Sequence, residues 1–125
     1  MAATGLYVPL VMIPRFTTYV GQATYTSAPL DVNDYVAFTL TVWRGPLLGS
    51  GSTLSCVFEV SEDADVWSDS GISAITTANT SSSVSTTLTR RWLRVKVTLT
   101  GADSALTCWA IGNLERREQG GGNGR

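Results

Sequence analysis

A chain of 125 residues suits one domain, long enough to bury a single core and too short to divide into two. Charged residues are 15% of the chain and its formal net charge is −1, so it lacks the basic footprint that nucleic-acid binding requires, and DNA or RNA is not expected as a direct ligand. Histidine is absent, which removes the commonest general acid/base, the commonest metal ligand and every histidine-based triad, and points away from an enzyme.

Serine and threonine make up about a quarter of the chain and Lys96 is the only lysine, a composition that favours strands and turns over helices. The apolar run Leu6 to Ile13 is too short to cross a bilayer and has no basic segment before it, so neither a membrane span nor an export signal is expected. Pro9 cannot donate to a ladder and Pro14 closes the run. Residues 1–14 therefore read as an N-terminal arm or an edge strand whose apolar residues need a partner subunit to cover them.

From Tyr35 to Trp43 the alternation is clean, with Val36, Phe38, Leu40 and Val42 on one face and Ala37, Thr39 and Thr41 on the other, as in a half-buried strand. Arg44 to Ser52 has the glycine and proline density of a surface loop, and Leu47 and Leu48 at its tip are more apolar than a solvated loop requires. A second strand runs from Thr53 to Ser61, placing Leu54, Cys56, Phe58 and Val60 inward. The acidic turn Glu62 to Asp65 and the turn Ser68 to Gly71 flank Val66 and Trp67 and read as a hairpin corner with a short returning strand.

Residues 72–88 are dominated by Ser, Thr and Ala and offer little to bury before Val84 and Leu88, which predicts a long loop leading into a weak strand. Arg91 to Thr100 gives the strongest strand signal: Leu93, Val95, Val97 and Leu99 alternate with Trp92, Arg94, Lys96 and Thr98, one face core and the other a cationic ladder beside an indole. Ala105 to Leu114 returns with Leu106, Cys108, Ala110 and Leu114 in one register and Trp109 and Ile111 in the other. With both faces apolar, this strand is expected to be central or to meet a neighbour. Residues 115–125 have no apolar anchor and four glycines in their last six positions, and are expected to form a disordered tail.

Short strands at regular spacing, with turn signals between them and no helical period, predict an all-β antiparallel sandwich over residues 15–114, with a jelly roll as one form of it. Cys56 and Cys108 are too few and too far apart for a disulfide scaffold or a zinc site and read as two buried thiols; a bond between them across the core stays open. The acids Glu59, Glu62, Asp63, Asp65 and Asp69 offer oxygens of the kind calcium takes. Their spacing does not fit an EF-hand, however, and a solvated hairpin turn explains them equally. No metal and no cofactor is expected. The glycines Gly45, Gly49 and Gly51 have no phosphate-binding pattern after them, and no serine sits in a nucleophile elbow. The Trp92, Arg94 and Lys96 face could stack on sugar or meet an acidic surface, with Trp43 and Trp109 adding aromatic area; ordinary cross-strand pairing explains it too.

The segments Glu59 to Trp67, Arg91-Trp-Leu-Arg-Val-Lys-Val-Thr-Leu-Thr-Gly101 and Cys108-Trp-Ala-Ile-Gly112, in that order around a Ser/Thr loop, resemble small β-sandwich proteins of tailed bacteriophage particles. In those proteins a strand ending in a short acidic segment and a tryptophan pairs with a later strand of the Arg91 to Val95 kind; Ala64 departs from the usual turn residues of that segment. The resemblance covers residues 35 to 114. It implies a structural or auxiliary particle protein, often trimeric, assembled in the bacterial cytoplasm and carried in the virion. On that footing the expected role is a capsid decoration or cement protein that binds the major capsid protein or another virion protein. A carbohydrate-binding module of a tail or fibre and a head-tail connector or tail component are the alternatives. The residues expected at the interface are Tyr7, Val8, Leu10, Val11, Leu47, Leu48, Trp92, Arg94, Lys96 and Trp109.

Overall fold

In the computed structural model, which describes residues 6–116, the strong alternations form the four longest inner strands, and their apolar rows face one another across two antiparallel sheets. Nine strands occur among the described residues: β1 (Tyr7–Val20), β2 (Ala23–Thr26), β3 (Leu30–Asp31), β4 (Tyr35–Arg44), β5 (Thr53–Ser61), β6 (Ser68–Asp69), β7 (Thr80–Thr87), β8 (Trp92–Thr100) and β9 (Ala105–Arg116). The first sheet has the order β1-β9-β4-β7 and the second the order β2-β8-β5-β6, with β3 also pairing β8. The first strand thus lies beside the last, and the second beside the next to last.

The core is built from the period-two rows. Phe38, Leu40 and Val42 of β4, with Leu106, Cys108, Ala110 and Leu114 of β9, meet Leu54, Cys56 and Phe58 of β5 and Leu93, Val95, Val97 and Leu99 of β8. Phe38 and Phe58 touch across the sheets with ring centroids 6.0 Å apart. Each fully buried side chain of this size contributes about 1.5–3 kcal/mol. Cys56 and Cys108 are buried free thiols. Burial pushes their pKa values up to about 12 and about 11, so both stay protonated and unreactive at neutral pH.

Three segments extend or differ from their sequence reading. The N-terminal apolar run is an edge strand, one of the two forms expected, but it continues to Val20 and gives Leu10, Met12 and Ile13 to the core; residues 1–5 lie outside the described residues. Residues 115 and 116 of the expected tail are the end of β9, and the rest of that tail lies outside the described residues. The Ser/Thr stretch forms a regular eight-residue strand, β7, because pairing with β4 satisfies its backbone even where its side chains have little to bury.

Arg44, read as the start of a loop, is instead the last residue of β4 and only 1% exposed. Its guanidinium donates to the Thr77 carbonyl (2.9 Å) and hydroxyl (3.0 Å), to the Val42 carbonyl (2.7 Å) and to Ser82 Oγ (3.0 Å). The segment before β7 is thereby tied to the first sheet, while its Ile75 exchanges two backbone bonds with Cys56 of the second.

Gly112 sits where β9 passes closest to β4. A Cβ placed there would lie 1.8 Å from the Thr39 carbonyl oxygen and 2.8 Å from Leu40 Cα, both backbone. Gly112→Ala must push the two strands apart, and a loss of about 3 kcal/mol is expected in chemical denaturation. A loss under about 1 kcal/mol would contradict this packing.

Candidate assembly surfaces

The two outer faces carry different chemistry. On the second sheet, Glu59 of β5 lies between two cations of β8: Arg94 is 2.8 Å from its Oε1 and Lys96 3.2 Å from its Oε2. Arg94 also covers the Trp67 ring at 4.2 Å. Arg91 binds Asp31 at 3.0 Å and lies 5.4 Å from the centre of the Trp92 ring. The Arg91 hydrogen bond, followed by the Asn33 amide, holds the Asp31 carboxyl below its ordinary pKa. Each cation of the ladder therefore has a carboxylate partner within the chain, with Arg94 and Lys96 sharing Glu59, and arginines lie over the Trp67 and Trp92 rings.

The acidic corner is occupied in the same way. Asp63 Oδ1 accepts from the Asp65 and Val66 amides at 2.9 and 3.0 Å and from Ser61 Oγ at 3.0 Å, while Asp69 accepts from the Gly71 amide at 2.8 Å. Glu62 pairs with Arg90 at 3.7 Å. These carboxylates close turns and pair with arginines, and among the described residues no group of three or more His, Cys, Asp or Glu is placed to hold a metal ion.

The outer face of the first sheet is apolar along β1, the middle of β9 and the end of β4, and gives way to Ser and Thr side chains on β7. Trp43 of β4 stacks on Trp109 of β9 with centroids 6.2 Å apart and planes 16° from parallel. Val11 is paired with Ile111 in the next row, and Val20 with Ala105, which Leu48 also bridges. Of the seven exposed large apolar side chains among the described residues, Leu6, Tyr7, Val11, Phe16 and Val20 lie on or next to β1, and Leu48 beside its end; only Val66 lies elsewhere. The exposed apolar side chains are thus concentrated along one edge of the first sheet.

A bulge shapes the middle of this surface. Between the pairs Ile13–Ala110 and Thr17–Cys108, the three residues Pro14, Arg15 and Phe16 stand opposite Trp109 alone. The turn is closed by Thr17 Oγ1, which donates to the Pro14 carbonyl at 2.7 Å. Arg15 folds over the Trp109 ring at 4.4 Å. Phe16 has φ = 64° and is 83% exposed, although a bulky aromatic in that left-handed region costs about 1–2 kcal/mol.

The residues expected at an interface are divided by this geometry. Tyr7, Val11, Leu48 and Trp109 share the apolar side of the first sheet, whereas Val8, opposite the core residue Leu114, is half-buried on the inner face and Leu10 is taken up by the core at 3% exposure. Leu47 packs against the core rather than standing free at the loop tip. Trp92, Arg94 and Lys96 lie on the opposite face, where both cations pair with Glu59. Sequence reasoning passed over Arg15, Phe16 and Val20, whose exposure depends on the bulge; the signal available was Pro14 inside an otherwise apolar strand.

No family model and no curated protein matches the chain. Its fold is similar to those of solved structures. One is the PBSX exported protein XepA, with a TM-score of 0.59 and 14% identity over 90% of this chain and 38% of that one. Another comes from the Bacillus endospore appendages described as disulfide-linked pili, with a TM-score of 0.55 and 13% identity over 93% of each chain. A third is infectious bursal disease virus, Gx strain, with a TM-score of 0.56 and 10% identity over 97% of this chain and 33% of that one. This chain thus spans about a third of the first and third of these, and at such identities the likeness is one of fold.

Two measurements check this description. Because the folded pKa of Asp63 is depressed, chiefly by the Val66 amide and then by that of Asp65, its contribution to the corner is present above the unfolded value near 4 and is lost as pH falls through the lower folded value. The Asp65 and Val66 amide shifts should hold steady from pH 7 to 5 and move only under more acid conditions, and Asp63→Asn should flatten that change. Phe16→Gly relieves the left-handed backbone, so the melting temperature of the isolated protein is expected to hold or rise, by up to about 1 kcal/mol of stability. A clear fall would mean that Phe16 supports the fold.

Proposed function

We propose that this chain is a non-enzymatic structural protein of a bacteriophage particle, a capsid decoration or cement protein that docks on the capsid lattice through the apolar outer face of its first sheet. The observation that carries the reading is the gathering of Tyr7, Val11, Phe16, Val20 and Leu48 around the Trp43–Trp109 pair, on one side of a molecule whose other sheet pairs its cations with its own carboxylates. The nested strand order, first beside last and second beside next to last, reads as a jelly roll, an architecture shared by capsid and lectin domains. Likeness in fold to a virus structure and to a pilus component supports a role in a repeated assembly.

The lectin alternative needs open indole faces. Here Trp109 lies between Trp43 and Arg15, Trp67 lies under Arg94 and Trp92 beside Arg91, so each of these rings already has a partner that reduces the indole area left for a sugar. Each apolar side chain covered on docking would contribute about 1–2 kcal/mol before association costs. Multiplied over a lattice, that suffices for a stable coat.

The test is to purify the particles produced by the virus that encodes this chain and to locate the chain by mass spectrometry and immunogold labelling. Labelling over the whole head surface is expected. Val11→Asp with Leu48→Asp should remove the protein from particles while it stays folded, and Arg94→Ala should leave it in place. Absence from purified particles, or label confined to the tail, would sink the decoration reading.

A further inference from the structure

We propose that β7 is a docking edge for a second copy of this chain, with two β7 strands pairing antiparallel about a twofold axis so that the first sheet of one copy runs on into that of the other. This goes beyond capsid docking and uses the opposite edge of the same sheet.

The ladder bonds show which backbone groups are free. Leu88 donates its amide to the Val36 carbonyl, so the pairs formed by the even-numbered residues of β7 are the hydrogen-bonded ones with β4. The N–H and C=O groups of Ser81, Ser83, Ser85 and Thr87 then point away from β4, at the open edge. Among the described residues no hydrogen bond reaches them. Alongside runs a cleft of about 610 Å³, lined on one side by residues 82–86 and on the other by the segment 71–77 that pairs with β5. An added strand would find unpaired ladder groups on one wall.

The other edges are short or protected. β6 and β3 have two residues each and β2 has four. The Arg116 amide bonds to the Leu6 carbonyl, so by the same parity Tyr7, Pro9 and Val11 face the free side of β1. Pro9 therefore presents no N–H there, and two register shifts twist the strand farther on. β7 carries neither proline nor charge, and its eight pairs with β4 run without a shift. Long edges of that kind are normally blunted.

The chemistry of β7 suits a copy of itself. With no charged residue among Thr80 to Thr87, two copies meet without like-charge repulsion. The outward side chains Ser81, Ser83, Ser85 and Thr87 are short hydroxyls that can bond across the new pair, and a twofold pairing satisfies both free edges at once. Such pairing builds even-numbered assemblies in place of the trimer that the phage resemblance implies.

The test is sedimentation equilibrium on the full chain across a concentration range, with Ser85→Pro beside the natural sequence. Position 85 directs its N–H to the free edge, so proline removes a bond of the added strand and none of the β4 ladder. The natural chain is expected to form a dimer that dissociates on dilution, with Ser81, Ser83, Ser85 and Thr87 amides losing exchange protection in step. Ser85→Pro should weaken the dimer at least about tenfold with unchanged circular dichroism. If that variant does not fold, Ser83→Lys with Ser85→Lys carries the test by placing like charges across the twofold. A natural chain that stays monomeric throughout, or a folded variant that dimerises as before, overturns the proposal.

Discussion

Two apolar faces must meet at the spacing of stacked sheets, and the rest of this molecule follows from that constraint. The side-chain period of a strand is two, so sliding any inner strand by one residue would bring its whole apolar row out to water. Phe38 against Phe58 marks the centre, with Leu40, Val42, Leu93, Val95, Val97 and Leu99 around it. Once those rows are locked, the intervening residues have no choice of face. That is how the Trp43–Trp109 stack and the Glu59–Arg94–Lys96 network come to lie on opposite sides of the sandwich.

The two long edges of the first sheet solve the problem of unpaired backbone differently. β1 gives up an N–H at Pro9 and interrupts its pairing twice, which discourages strand addition and turns its side chains into a surface. β7 keeps a straight, uncharged ladder and leaves its backbone accessible. One edge is suited to recognition by apolar side chains and the other to recognition by main chain. In the proposed assembly, the lattice contact and the contact between copies therefore use different residues.

Arg44 shows how the side of the sandwich that carries β7 is held. Its guanidinium has four hydrogen-bond acceptors within the chain, none of them a carboxylate, and these join β4, β7 and the segment around Thr77. A buried cation is tolerated when its donors are satisfied, and leaving those acceptors unpaired would cost more than the bonds themselves contribute. The wall of the cleft beside β7 therefore stays in position.

The sequence by itself determined the strands of the core and the class of the fold, because alternation over Tyr35 to Trp43, Thr53 to Ser61, Arg91 to Thr100 and Ala105 to Leu114 is a local property that pairing merely uses. It also determined that Trp109 and Ile111 would form an apolar row apart from the core. The tertiary structure alone decided the strands between residues 15 and 31, the length of β7, the burial of Leu10 and Arg44, and the exposure of Phe16. Each depends on which strand lies alongside: β9 draws β1 into the sheet, β4 pairs a Ser/Thr segment that has little of its own to bury, and the bulge opposite Trp109 exists only because two strands of unequal length are matched there. Partners distant along the chain set these features, and no local pattern encodes them.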